Sequence, residues 1–245
     1  MSAIGRASGG ESLSALIADR APLFYRRLPD LVRSLSDGLF MTAFKETVSR
    51  LPTSSAFRES HFGEIVSAVF AEDVLGLRLL YSKLSLLTAE NDNAHKMDLV
   101  LSDPNEDPLA LYFAEVKCSP KRQADGLPAG HEKSCYPALF DSLRDYTQRD
   151  LDFDIAAAKD HIDDLEDGER ERVRAALLPY SESPLRYAGF VAIDATTWNT
   201  SEGALLATRR SEKAFDVDVL CIEDFEGTAL EAYENLERLR DGCTL

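Results

Sequence analysis

Basic residues are scarce in this chain: 27 Lys and Arg stand against 43 Asp and Glu, a formal charge of −16 over 245 residues. That sign works against a module that finds nucleic acid unaided, because such binding draws on clustered Lys and Arg. It leaves room for an enzyme whose small site meets phosphate through a metal ion, or for a subunit carried to DNA by a partner. Cysteine is sparse too. Cys118, Cys135, Cys221 and Cys243 include no C-x-x-C pair, which excludes a paired-cysteine zinc site and a dithiol redox motif. Cys118, His131 and Cys135 lack a fourth ligand, so reduced thiols are expected. The histidines His61, His95, His131 and His161 form no H-x-x-x-H pair and read as surface residues. No apolar run has the length of a membrane span, the opening residues lack a cationic segment followed by an apolar one, and a cytoplasmic protein is expected. No G-x-x-x-x-G-K-[ST] loop occurs, so the chain carries no Walker-type motor.

What is present reads as α/β. Residues 1–56 form an N-terminal helical segment with a flexible, Gly- and Ser-rich start, and residues 57–245 form an α/β domain. Leu28 to Val48 has helical apolar spacing broken near Asp37-Gly38, which predicts two short helices. Phe62, Ile65, Val66, Val69 and Phe70 follow the helical i, i+3, i+4, i+7, i+8 pattern, with Glu64 at the edge of the stripe. Strands are expected at Leu77 to Tyr81, Met97 to Ser102, Leu109 to Lys117, Tyr187 to Ile193 and Val217 to Ile222. The segment from Lys117 through Pro137 reads as a surface loop. Leu139 to Leu165 reads as one long helix with a solvated Asp-rich face from Asp150 to Asp167, Arg170 to Leu178 as another helix, and Thr228 to Arg240 as the last.

Two of the strands carry charge where a buried strand should be apolar. Asp98 stands at the start of one, and Glu115 and Lys117 stand two residues apart on the next. Between them Asp103-Pro104-Asn105-Glu106-Asp107-Pro108 favours a turn and hence an antiparallel hairpin. Strand parity then places Glu115 and Lys117 on one face, about 7 Å apart, above Leu111 and Phe113. A buried charge must be paired or bound to an ion. Hydrolysing a phosphodiester needs an activated water and stabilisation of charge on phosphorus, and carboxylates with a nearby lysine supply both through Mg²⁺. Chance alone supplies about one E-x-K in a chain of this composition, so context has to carry the argument. Here the tripeptide is the only [DE]-x-K present and it ends an apolar strand. The competing reading is a solvent-facing Glu115–Lys117 ion pair, worth at most about 1 kcal/mol.

Phe62-Gly63-Glu64, Met97-Asp98 and Ala114-Glu115-Val116-Lys117, in this order and on these elements, resemble the PD-(D/E)XK nuclease superfamily across residues 57–193. More narrowly, the chain resembles the HamA family, the nuclease subunits of the Hachiman antiphage defence system. That likeness rests on size, the Gly63-Glu64 helix, the run Lys83-Leu84-Ser85 with Asn93 before Asp98, and the Glu115-Val116-Lys117 strand. The resemblance implies a restriction-endonuclease-like core of mixed sheet flanked by helices. It also implies Mg²⁺-dependent DNA cleavage, with Mn²⁺ as a substitute, and a HamB-like superfamily 2 helicase partner that restrains the nuclease. It gives Asp98, Glu115 and Lys117 catalytic roles, with Glu64 joining Asp98 and Glu115 as a metal ligand. The superfamily's proline before the first aspartate is replaced here by Lys96-Met97. Two other readings stand beside this one: a stand-alone restriction-type endonuclease, and a non-catalytic interaction subunit with a nuclease-like fold.

Overall fold

The β-hairpin expected around the Pro-bounded turn is the centre of the molecule. In the computed structural model, which describes residues 12–26, 28–87, 97–122, 134–148, 151–180, 183–198 and 215–242, β2 (Leu99–Asp103) pairs antiparallel with β3 (Ala110–Ser119). Leu99 lies opposite Ala114 and Asp103 opposite Ala110. β1 (Arg78–Ser82) adds to β2 antiparallel, while β4 (Leu185–Asp194) and β5 (Asp216–Ile222) extend the other side in parallel. The result is a five-stranded mixed sheet in the order β1-β2-β3-β4-β5.

Alternation along β3 divides the apolar residues between two cores. Tyr112, Ala114 and Val116 face the layer that contains α1 (Leu13–Tyr25), α4 (Ser55–Asp73) and α8 (Phe225–Gly242). Leu111 and Phe113 face α5 (Cys135–Tyr146), α6 (Asp152–His161) and α7 (Asp167–Leu177). The short helices α2 (Leu28–Ser36) and α3 (Phe40–Val48) flank Asp37-Gly38, where the sequence pattern breaks, and Gly38 takes the left-handed φ of +70°. No helix among the described residues is long and apolar enough to cross a membrane.

Several expectations need correction. The predicted loop after Lys117 is shorter, since β3 runs on to Ser119 and α5 already begins at Cys135, with Pro137 in its first turn where a missing N–H costs nothing. The single helix predicted over Leu139 to Leu165 is two helices and a 3-10 turn. The break lets Leu139 and Leu143 on one piece, and Leu151 and Ile155 on the other, enter the same core. Asp154 does not lie on a solvated face: it is buried and accepts the Met97 N–H at 3.3 Å, next to Asp98. His61 is buried as well. It hydrogen-bonds Tyr25 Oη through Nδ1 at 2.8 Å, because α4 is enclosed on nearly every side between the sheet and the outer helices. His161 is half-buried with Nδ1 against the Ala157 carbonyl, whereas His95 and His131 lie outside the described residues. Among the described residues Cys118, Cys135 and Cys221 are in no disulfide; Cys243, the first eleven residues and Asn93 lie outside the described residues.

Burial and the nearby Lys83 push the His61 pKa down to about 4, so the folded protein holds the imidazole neutral. The unfolded chain protonates it near pH 6.5, so between those values the unfolded state binds more protons and stability falls with falling pH. Replacing His61 with glutamine should remove about 2 kcal/mol of the stability lost between pH 7 and pH 5. Urea titrations of both proteins at the two pH values measure this, and equal losses would contradict it.

Gly63 sets how closely α4 lies on the sheet. A Cβ at that position would stand 2.6 Å from the Cys118 Cβ and 2.9 Å from its Sγ, inside van der Waals contact. Gly63→Ala should therefore cost about 1–3 kcal/mol, read as a lower urea midpoint. Gly63→Ala combined with Cys118→Gly should recover part of it, and an unchanged midpoint in the single variant would show that the contact relaxes freely.

Candidate active site

The β2–β3 register decides the first contact. Continuing it one residue past Leu99 and Ala114 sets Asp98 opposite Glu115, on the same face of the sheet, where directly paired Cβ atoms lie about 5 Å apart. Asp98 precedes the first ladder residue of β2, and its carboxylate takes over where the ladder stops: Oδ2 accepts the Val116 N–H at 2.6 Å. Its main-chain carbonyl accepts the Lys83 N–H at 3.0 Å. Both carboxylates are buried, 2% exposed for Asp98 and 5% for Glu115. A surface ion pair at a fraying strand end is thereby excluded for Glu115.

Each carboxylate is compensated by a named group. Lys117, two residues on and on the same face, pairs with Glu115 Oε1, and Tyr146 at the end of α5 donates its hydroxyl to Glu115 Oε2 at 2.7 Å. α5 lies close over the sheet because β4 presents Gly189 beside Glu115, where a Cβ would meet the Leu139 side chain at 2.6 Å. From the opposite layer α4 delivers Glu64, the neighbour of Gly63 and only 3% exposed. Lys83, at the head of the 3-10 turn Lys83–Leu86 that follows β1, joins Glu64 to Asp98. Its ammonium stands 3.1 Å from Glu64 Oε1 and also pairs with Asp98 Oδ1.

These groups perturb one another as a buried cluster must. Burial pushes the Glu64 pKa up to about 8, with Lys83 opposing and Asp98 and Glu115 adding to the rise. Burial and Asp98 likewise raise Glu115. For Lys83 burial acts downward, but Asp98 and Glu64 outweigh it and hold the ammonium charged; Glu115 and Asp98 do the same for Lys117. Behind Glu64, Tyr25 bridges His61 to the Tyr233 hydroxyl, the latter at 3.0 Å.

All four residues singled out in the sequence, Glu64, Asp98, Glu115 and Lys117, thus meet at one place. Lys83 and Tyr146 complete it without having been expected there. Lys83 entered the sequence reading only within the run Lys83-Leu84-Ser85 that carries the family resemblance, with no role at the site, and Tyr146 carried no signal, since nothing local says where a helical tyrosine's hydroxyl will reach. As a donor set, three carboxylates supply the hard oxygens that Mg²⁺ prefers. One of them, Glu64 Oε2, is buried without a hydrogen-bond partner, the kind of atom an ion would satisfy. In the arrangement described, the remaining carboxylate oxygens face Lys83, Lys117, Tyr146 and the Val116 N–H. Accordingly, no three acidic, histidine or cysteine side chains among the described residues converge on a common metal position. The donor chemistry fits the ion, and in this arrangement Lys83 and Lys117 compensate the carboxylates that would hold it.

The HamA family model matches residues 11–228, spanning α1 through the start of α8 and every residue of the cluster. No match is found among curated proteins, and none among solved structures. With nearly the whole chain covered by that model, over a mixed sheet flanked by helices, the protein belongs to the HamA family of the Hachiman antiphage defence system.

Proposed function

We propose that the protein is the Mg²⁺-dependent DNA-cleaving subunit of its defence complex. The observation that carries this reading is the meeting of Asp98 and Glu115 across one strand pair, with Lys117 beside them and Glu64, joined to Asp98 through Lys83, keeping one oxygen buried and unsatisfied. Three buried carboxylates in one cluster are costly for stability alone, and perturbed groups of this kind concentrate at reaction centres. Glu64, Asp98 and Glu115 would hold the ion, which when bound supplies a nucleophilic water at neutral pH and a countercharge for the phosphoryl group. Lys117, 29% exposed along its side chain, reaches from the buried carboxylates toward solvent. Its ammonium donates to the attacking water or to a non-bridging phosphate oxygen. Tyr146 fixes the Glu115 carboxylate from the far side, so that its orientation does not depend on Lys117 alone.

Delivery of DNA is assigned to a partner. At −16 the chain's own field repels a phosphate polymer, and an ATP-driven helicase subunit would supply both the substrate and the restraint that keeps a non-specific nuclease from host DNA. This supports the family arrangement over a stand-alone restriction-type enzyme, which needs its own DNA-reading surface.

The full chain, co-expressed with the products of the genes beside its own, should co-purify with the larger subunit and degrade DNA with Mg²⁺ but not after chelation. Glu115→Ala and Lys117→Ala should each lower the cleavage rate about 10²- to 10³-fold while a thermal melt still shows a folded protein. Near-normal cleavage by either folded variant would reduce the strand to a structural ion pair.

A further inference from the structure

Lys83 is absent from the catalytic assignment above, yet its ammonium is the group that most directly holds the carboxylates. It bridges Glu64 Oε1 and Asp98 Oδ1, two of the three residues assigned to the metal. Its main chain is fixed independently of that bridge. The Lys83 N–H bonds the Asp98 carbonyl at 3.0 Å, the Leu84 N–H bonds the Ser82 hydroxyl at 3.3 Å, and Ser85 Oγ bonds the Ser82 carbonyl at 2.8 Å. Releasing the ammonium therefore requires only side-chain rotation. The Lys83 side chain is the most exposed of the three, 15% against 4% for Glu64 and 3% for Asp98.

We propose that the Lys83 ammonium is a built-in competitor of the divalent ion, filling the Glu64–Asp98 position in the resting protein and leaving it when the ion binds. The inference rests on the metal-dependent reading of this site. A monovalent ammonium and a divalent ion cannot share two carboxylates at contact distance without strong mutual repulsion, so each excludes the other. The exchange sets a threshold: the site stays closed at low divalent concentration, and the buried acids are never left uncompensated while it is closed. Once displaced, Lys83 remains tethered at the mouth of the site as a free cation. There an anionic phosphodiester lying between it and the ion would relieve their repulsion, so substrate and metal favour each other's binding.

Mn²⁺ binding to the purified full chain, followed by calorimetry, tests this with Lys83→Met, which keeps the side chain's bulk and removes its charge. Lys83→Met should bind Mn²⁺ at least tenfold more tightly than the wild type. Equal or weaker binding by a folded Lys83→Met protein would overturn the competitor role while leaving the metal site standing. Failure of both proteins to bind Mn²⁺ would overturn the metal reading itself, and this inference with it. Because the variant leaves two carboxylates unpaired and could fail to fold, the wild type gives a second readout. Modification of Lys83 by an amine-reactive label should rise severalfold on saturation with Mn²⁺, and an unchanged rate at saturation would count against expulsion of the ammonium.

Discussion

Carboxylates inside a protein must be paid for by neighbours, and in this molecule the neighbours come from every layer. The antiparallel register of β2 and β3 sets Asp98 against Glu115, and the rest of the site is arranged to make that juxtaposition tolerable. A buried charge left alone costs several kcal/mol, so the loss of either lysine would be felt throughout. Lys117 comes from β3 itself, Lys83 from the turn after β1, Tyr146 from α5 on one face, and the Val116 N–H from the edge of the ladder. α4 approaches from the other face, closely enough that Gly63 admits no side chain, and so brings Glu64 into the same cluster. Sheet topology, helix packing and electrostatics are consequences of one constraint.

That arrangement would also let an acidic protein hold the phosphate-directed site proposed above. The charge of −16 belongs to the whole chain, whereas the cluster contains two ammonium groups against its three carboxylates. Local compensation and global repulsion act at different ranges: within a few ångströms the two lysines offset most of the carboxylate charge, while the net charge sets the field that a polyanion meets within a screening length of about 10 Å of the surface. On the proposed reading, a site built in this way would act on DNA that is presented to it and search poorly for DNA by itself. Membership of a defence family fits that division of labour.

Much of this was legible in the sequence because it depends on short-range rules. Proline-bounded turn residues between two apolar runs gave the hairpin, and period-two alternation put Glu115 and Lys117 on the face of Leu111 and Phe113, as observed. Asp98 and the E-x-K strand were identifiable because charge inside an apolar run is conspicuous. What escaped depends on tertiary packing. His61 lies on a helix that looked amphipathic but is enclosed on nearly every side along its middle, and Asp154 sits in an acidic stretch whose Asp152, Asp160 and Asp163 are exposed while it satisfies the Met97 N–H. The division of the segment from Leu139 to Leu165 follows from two pieces reaching one core. Lys83 and Tyr146 act across the sheet, where periodicity has nothing to say.

The central claim is that Glu64, Asp98 and Glu115 form one divalent-cation site. Anomalous diffraction from crystals of the full chain soaked in Mn²⁺ tests it directly, because the ion's position is read without reference to activity. A single anomalous peak within about 2.2 Å of oxygens from at least two of the three carboxylates is the expected result. Mn²⁺ bound elsewhere, with the cluster still closed around Lys83 and Lys117 at saturating metal, would contradict it.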